Sequence, residues 1–228
     1  LLSIRLSAAW YVEAFGSLGR FAAPLRARRL AVLLIGFPLF GLFQTVHWIG
    51  FLIDEILFRG YRKVPVRNPL FITGVPRSGT TFLHRTLSRD SSQFRTFQTW
   101  EAVLAPSITE RKLLRLLARL DRFLGGPLRR LVDRLTRRLA SGLDDIHKVD
   151  LTAPEEDYLT LLPASGCFIL SLAFPSSPSV WLLARFQDMP EERRAVLVRF
   201  YHRCLQKHFY VHGDRKSTRL NSSHTHLS

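Results

Sequence analysis

The chain has 228 residues, 46% hydrophobic and 22% charged, which is enough for one domain with a real core. Its 13 glycines and 12 prolines exclude a low-complexity or collagen-like chain, and two cysteines, Cys167 and Cys204, exclude a disulfide framework or zinc cluster; they read as packed thiols. A net charge of +15 points to an anionic partner, whether a nucleotide, nucleic acid, acidic or sulfated substrate or anionic membrane face.

The N-terminal stretch mixes apolar residues with Arg5, Arg20, Arg26, Arg28 and Arg29. The run from Ala31 to Ile53 then carries no Asp, Glu, Lys or Arg. About 20 apolar residues suffice to cross a bilayer. If the run spans, the preceding arginines place the N-terminus in the cytoplasm. Pro38, Gln44 and His47 favour the other reading, a buried or interfacial helical hairpin broken near Pro38. Residues 1–60 are therefore expected to form a hydrophobic helical segment, membrane-associated as a single pass or at the interface through residues 31–53.

Tyr61 to Asn68 is a basic linker, and Leu70 to Gly74 is an apolar run of strand type. Residues from Gly79 to Arg89 read as a helix with Phe82, Leu83, Thr86 and Leu87 on its inner face. Residues 91–106 read as loop. Ser107-Ile-Thr-Glu110 is a capping box. Leu113, Leu116, Leu117, Leu120 and Leu124 form one helical stripe after it. Gly125-Gly126 ends that helix, and Pro127 opens another with Leu128, Leu131, Leu135 and Leu139. Residues 108–140 hold ten basic and three acidic side chains. They form either a solvated face opposite a buried leucine stripe or a surface for membrane phosphates or nucleic acid. Thr152-Ala-Pro-Glu155 suggests a second capping box, with Glu155, Glu156 and Asp157 in a helix's first turn. Phe168 to Phe174 is strand or buried helical turn. A last helix runs from Pro190 to about Phe209.

From Asp214 onward the sequence has no apolar periodicity. It is close to the translation of a common sequencing-adaptor oligonucleotide. Residues 214–228 are therefore read as an artefactual tail and set aside from the fold, with His224 and His226 not counted as ligands.

The segment that carries chemistry is Pro69 to Leu87, PLFITGVPRSGTTFLHRTL. A strand runs into Gly74-Val-Pro-Arg-Ser-Gly79-Thr-Thr81 and on into a helix. The spacing is close to G-x-x-x-x-G-K-[ST]. Glycines let the backbone wrap an anion, and the amides at the helix start present positive charge to a phosphate. An NTPase needs a lysine after the second glycine, and Thr80 stands there. The loop's cation is Arg77 instead, which suits a single terminal phosphate without a metal.

Leu70 to His84 resembles the 5′-phosphosulfate loop of the PAPS-dependent sulfotransferases, above all the group reading P-R-S-G-T-T. Tyr61-Arg62-Lys63, Thr99-Trp100-Glu101, Pro154 to Asp157 and Phe200-Tyr201 to Gly213 extend the likeness. The resemblance implies an α/β, P-loop-like sulfotransferase fold, partial and helix-rich, over residues 61–213. It implies PAPS (3′-phosphoadenylyl sulfate) as sulfuryl donor, with no metal. Ser78, Gly79, Thr80 and Thr81 would hold its 5′-phosphate. Arg77 would bind there too and would stabilise the charge growing on the bridging oxygen as sulfate departs.

Glu101 is the implied catalytic base, with His147 and Asp150 behind it. His84 reads as structural. His208 and His212 have i,i+4 spacing, but no acid lies near them in sequence. No 3′-phosphate site is identifiable before residue 213, so that half of the donor site is expected to lie outside the chain. The expected reaction moves a sulfuryl group to a hydroxyl or amine of a glycan, lipid or small molecule, with membrane but not nucleic acid as a further partner. The rival readings are a P-loop kinase or NTPase and a non-enzymatic, basic, membrane-binding helical protein.

Overall fold

The computed structural model describes residues 32–67, 69–75, 78–91, 93–131, 134, 151–172, 177–212 and 219–225, the last for main chain alone. Pro76, Arg77, His147 and Asp150 lie outside these, as do residues 1–31 and Leu135 and Leu139.

A π-helical turn at Val32–Gly36 leads into α1, Phe37–Leu57. Pro38 sits in the first turn of α1. A missing N–H costs nothing there, so the proline starts the helix rather than breaking a hairpin. Leu34–Leu57 is a 24-residue stretch long and apolar enough to cross a membrane. Within it His47, Gly50, Phe51 and Asp54 are buried. Their i, i+3, i+4, i+7 spacing marks one covered face.

A 3₁₀ turn at Arg59–Lys63 seats Tyr61, which is fully buried. The chain then enters β1, Leu70–Gly74, whose Ile72 is its buried residue. Helix α2 follows at Thr80–Leu87. The expected inner face of α2 is not the one covered. Phe82 and Leu83 are exposed, and His84 is the buried residue, its Nε2 2.8 Å from the hydroxyl of Thr96.

Two short strands replace the expected loop: β2 at Phe94–Arg95 and β3 at Phe97–Gln98. A π-helical turn at Trp100–Leu104 leads to α3, Ile108–Phe123. The capping box is present, with Glu110 N–H donating to Ser107 Oγ at 3.1 Å and Ser107 N–H donating to Glu110 Oε2 at 3.0 Å.

The expected second capping box is not a helix start. Pro154–Glu155 forms β4, antiparallel to β3, and 3₁₀ turns follow at Asp157–Ala164. Proline biases the residue before it towards extended backbone, which suits a strand better than a helix's first turn. Phe168–Leu172 is a 3₁₀ turn, and α4 is one short turn at Pro178–Trp181. The last helix, α5, spans Glu191–His212. Residues Arg219–Thr225 form β5.

The main sheet is parallel, in the order β1-β5-β2, with Leu70 opposite Asn221 and Phe94 opposite Arg219. The middle strand, Arg219–Thr225, falls within the stretch read as a tail. Ladder pairing uses main-chain N–H and C=O groups, so a run without apolar pattern can still complete it.

The core lies between α5 and the antiparallel β3–β4 pair. Phe97, Ala102, Leu159, Cys167, Leu205 and Phe209 pack there. Both cysteines are buried and unpaired, as expected of packed thiols. Burial pushes each thiol up to about 12, so both stay protonated.

The leucine stripe of α3 is reversed from expectation. Leu113, Leu116, Leu117, Leu120 and Leu124 are exposed. The buried residues of α3 are Ile108, Glu110, Arg111 and Asp121. Each buried charge has a partner that fixes this face inward. Glu110 Oε1 lies 2.6 Å from His47 Nδ1. Arg111 Nε donates to the carbonyl of Ala105 at 2.9 Å. Asp121 accepts from the amides of Leu128 and Arg129 at 2.7 and 3.1 Å.

Candidate functional site

The turn after β1 folds back on the strand. Ser78 N–H donates to the carbonyl of Val75 at 3.1 Å. A Cβ on Gly74 would lie 2.6 Å from Ser78 Oγ and 2.9 Å from Thr80 Cγ2, so a larger residue there would displace those two side chains. Gly79, at φ +87°, reverses the chain into α2 as its N-cap. That left-handed conformation suits glycine, and nothing lies within 4 Å of where its Cβ would sit.

The first helical bond of α2 runs from Leu83 N–H to the carbonyl of Gly79 at 3.0 Å. The amides of Thr80, Thr81 and Phe82 therefore have no partner within the helix. Among the described residues no side chain caps them, and no acid lies in the first turn. Ser78, Gly79 and Thr81 are exposed, and Thr80 is half-buried. The result is an open cup of amides and hydroxyls at the positive end of a helix, suited to a phosphate. Ser78, Gly79, Thr80 and Thr81 all lie at this turn and the start of α2. Arg77, expected beside them, lies outside the described residues.

Glu101 is placed quite differently. It is fully buried in the π-helical turn after β3. Oε1 accepts from His212 Nε2 at 2.7 Å and from Arg115 Nη2 at 3.5 Å. Oε2 accepts from the amide of Gln98 at 3.3 Å. Burial raises the Glu101 carboxyl. The His212 hydrogen bond and the Arg111 guanidinium outweigh burial and hold it well below the usual carboxylate range.

His208 completes the cluster. Burial drives it well below its ordinary value, against the attraction of Glu101, so it is neutral. A guanidinium can only donate, so Arg111 Nη1, 3.3 Å away, donates to His208 Nδ1. The ring proton therefore sits on Nε2, which is buried without a partner among the described residues.

The sequence shows no acid near the His208/His212 pair; the fold supplies one from 111 residues away. No local signal could have found it, because α5 meets the turn after β3 only through tertiary packing. Donor atoms of Glu101, His208 and His212 lie within 4.8 Å of one another. This grouping is still a poor cation site. Arg111 and Arg115 already bring two guanidinium charges to one carboxylate, which opposes a divalent ion.

The cup and the cluster share one short stretch of chain. The Thr96 hydroxyl meets His84 of α2 at 2.8 Å, and two residues on, Gln98 N–H meets Glu101. His147 and Asp150 lie outside the described residues.

A family model described as the sulfotransferase family matches residues 69–218, from the residue before β1 to the residue before β5. No curated protein matches the chain at a significant level. Among solved structures, the chain resembles the crystal structure of a sulfotransferase from Mycobacterium tuberculosis H37Rv. The TM-score is 0.56 at 16% identity, covering 97% of this chain and 54% of that one. The chain thus spans about half the length of that relative and shares its fold. With a strand, a glycine-bent turn and a helix standing where the family model begins, this chain belongs to the sulfotransferase family.

Proposed function

We propose that the protein transfers a sulfuryl group from PAPS to a hydroxyl or amine acceptor. The observation that carries this reading is the cup formed by Gly74, Ser78, Gly79, Thr80 and Thr81, which offers helix-start amides and hydroxyls but no lysine. Ser78, Gly79, Thr80 and Thr81 hold the 5′-phosphate of the donor. PAPS, when bound, supplies an activated sulfate whose bridging oxygen gathers charge as the bond to sulfur breaks. Arg77, next to Ser78, is the residue that would counter that charge, a contribution that grows in the transition state.

The acceptor must lose a proton. We assign that task to the Glu101–His212 pair. Glu101 is wholly buried, and the side chain of His212 is 24% exposed, so the imidazole is the member that reaches solvent. The Nε2–H bond to Glu101 leaves Nδ1 as the acceptor atom. Thr96 to Gln98 holds α2 at one end and Glu101 at the other.

Membrane association through the apolar N-terminal helix is part of the same reading, supported by its length and composition. The test is calorimetry of the protein with PAP, the desulfated donor, against ATP with Mg²⁺. The expected result is binding of PAP that weakens in Arg77→Ala. Tight ATP·Mg²⁺ binding with indifference to PAP would replace this reading with that of a P-loop NTPase.

A further inference from the structure

We propose that α3 and the outward face of α1 form one docking surface for an anionic bilayer, on which the protein lies without crossing it. The inference rests on the membrane association proposed above and changes its geometry.

The first ground is the reversal of α3. Its leucine stripe faces outward while Glu110, Arg111 and Asp121 face inward. Leu113, Leu116, Leu120 and Leu124 are each about half exposed or more, and Phe123 is 88% exposed. Contiguous apolar surface of this kind marks an interaction site.

The second ground is charge. Lys112, Arg119, Arg122, Arg129 and Arg130 are exposed on α3 and the turn after it. Both acids of this stretch, Glu110 and Asp121, are buried and bonded. Among the described residues 108–131, every exposed charge is therefore positive. Leucines interleaved with cations and no exposed acid fit the boundary between headgroups and acyl chains. Nucleic acid would use the cations and leave the leucines in water.

The third ground is the outward face of α1. Leu39, Leu42, Val46, Ile49, Leu52 and Ile56 form an exposed apolar stripe along it. The two helices are braced together. Asp54 of α1 accepts from the amides of Ile108 and Thr109 at 2.9 and 2.8 Å, and His47 meets Glu110 at 2.6 Å. These contacts also argue against a span. To be surrounded by lipid, α1 would have to leave Asp54 and His47 without their partners, at a cost of several kcal/mol per group. Lying on the surface keeps every one of these bonds.

The test is flotation of the protein with phosphatidylcholine vesicles, with and without phosphatidylserine, together with a fluorophore on Leu117→Cys. Cys167 and Cys204 are buried, so the label goes to the introduced thiol. The expected result is binding that needs phosphatidylserine and falls with salt, with a blue shift of the label on binding. Arg119→Gln with Arg122→Gln should weaken binding about 30-fold, from the usual contribution of two surface cations. Circular dichroism of that variant should match wild type, since both side chains are exposed.

Binding unaffected by the α3 variant, with no shift of the label, would overturn the proposal and leave α1 as the membrane contact. No vesicle binding by the wild type would overturn the membrane reading as a whole, while PAP binding would still stand. RNA binding that displaces vesicles without shifting the label would assign the cations to nucleic acid.

Discussion

Lys207 of α5 and Asp54 of α1 form an ion pair of 2.8 Å, 153 residues apart in sequence and almost wholly buried. The same carboxylate caps α3 through Ile108 and Thr109. One side chain thus ties three helices together. Asp54→Ala should destabilise the protein by about 3 kcal/mol, because it leaves a buried ammonium and two buried amides unpaired. Lys207→Met should cost less, since the amides remain to neutralise the carboxylate. Urea unfolding midpoints check both, and equal losses would mean that the caps contribute little.

Stability should fall with acid in two stages. His208 is held below its ordinary value, so between that lowered value and about 6.5 the unfolded chain binds more protons than the folded one. Its contribution is complete above about pH 6.5 and declines below it. The Glu101 carboxyl is also lowered, so its contribution is present above about 4.3 and declines further down. Arg111, His212 and Arg95 all oppose a proton on His208, and Glu101 favours one. Each stage can reach about 1.4 kcal/mol per pH unit. Unfolding measured from pH 8 to 4 should show the upper stage in wild type and lose it in His208→Gln.

The two glycines of the cup should fail in different ways. Gly79→Ala meets open space but a positive φ, a strain of about 1–2 kcal/mol, so the protein folds with weakened PAP binding. Gly74→Ala places a methyl against Ser78 Oγ and Thr80 Cγ2, so these two side chains of the cup must turn aside. PAP affinity should drop further in Gly74→Ala than in Gly79→Ala, measured by calorimetry on folded protein. The opposite order would mean that the cup's closure on β1 is not what shapes the site.

Arg77→Ala should lower kcat about 100-fold or more if its guanidinium serves the departing sulfate. His212→Asn should lower kcat and remove the acidic limb of the pH–rate profile, while leaving PAP affinity close to wild type. An unchanged pH profile would take the proton-acceptor role away from the Glu101–His212 pair.

His84→Ala removes the 2.8 Å contact with Thr96 and leaves a cavity under α2. The expected cost is about 2 kcal/mol, with weakened PAP binding as α2 shifts from β2. A thermal melt paired with PAP titration measures both effects.

Much of this site was legible in the amino-acid sequence because its bonds are local. The strand, the Gly74 to Thr81 turn and the start of α2 are set by residues a few positions apart, and so is the Ser107–Glu110 capping box. The N-terminal helix was legible from its run of uncharged residues.

Tertiary structure alone decided the rest. It buried Glu101 beneath His212, turned the leucines of α3 outward and put Arg219–Thr225 into the sheet. Periodicity says which residues share a face, not which face is covered. Here long-range polar bonds to Asp54 and His47 fix α3, and main-chain pairing, indifferent to side chains, fixes β5.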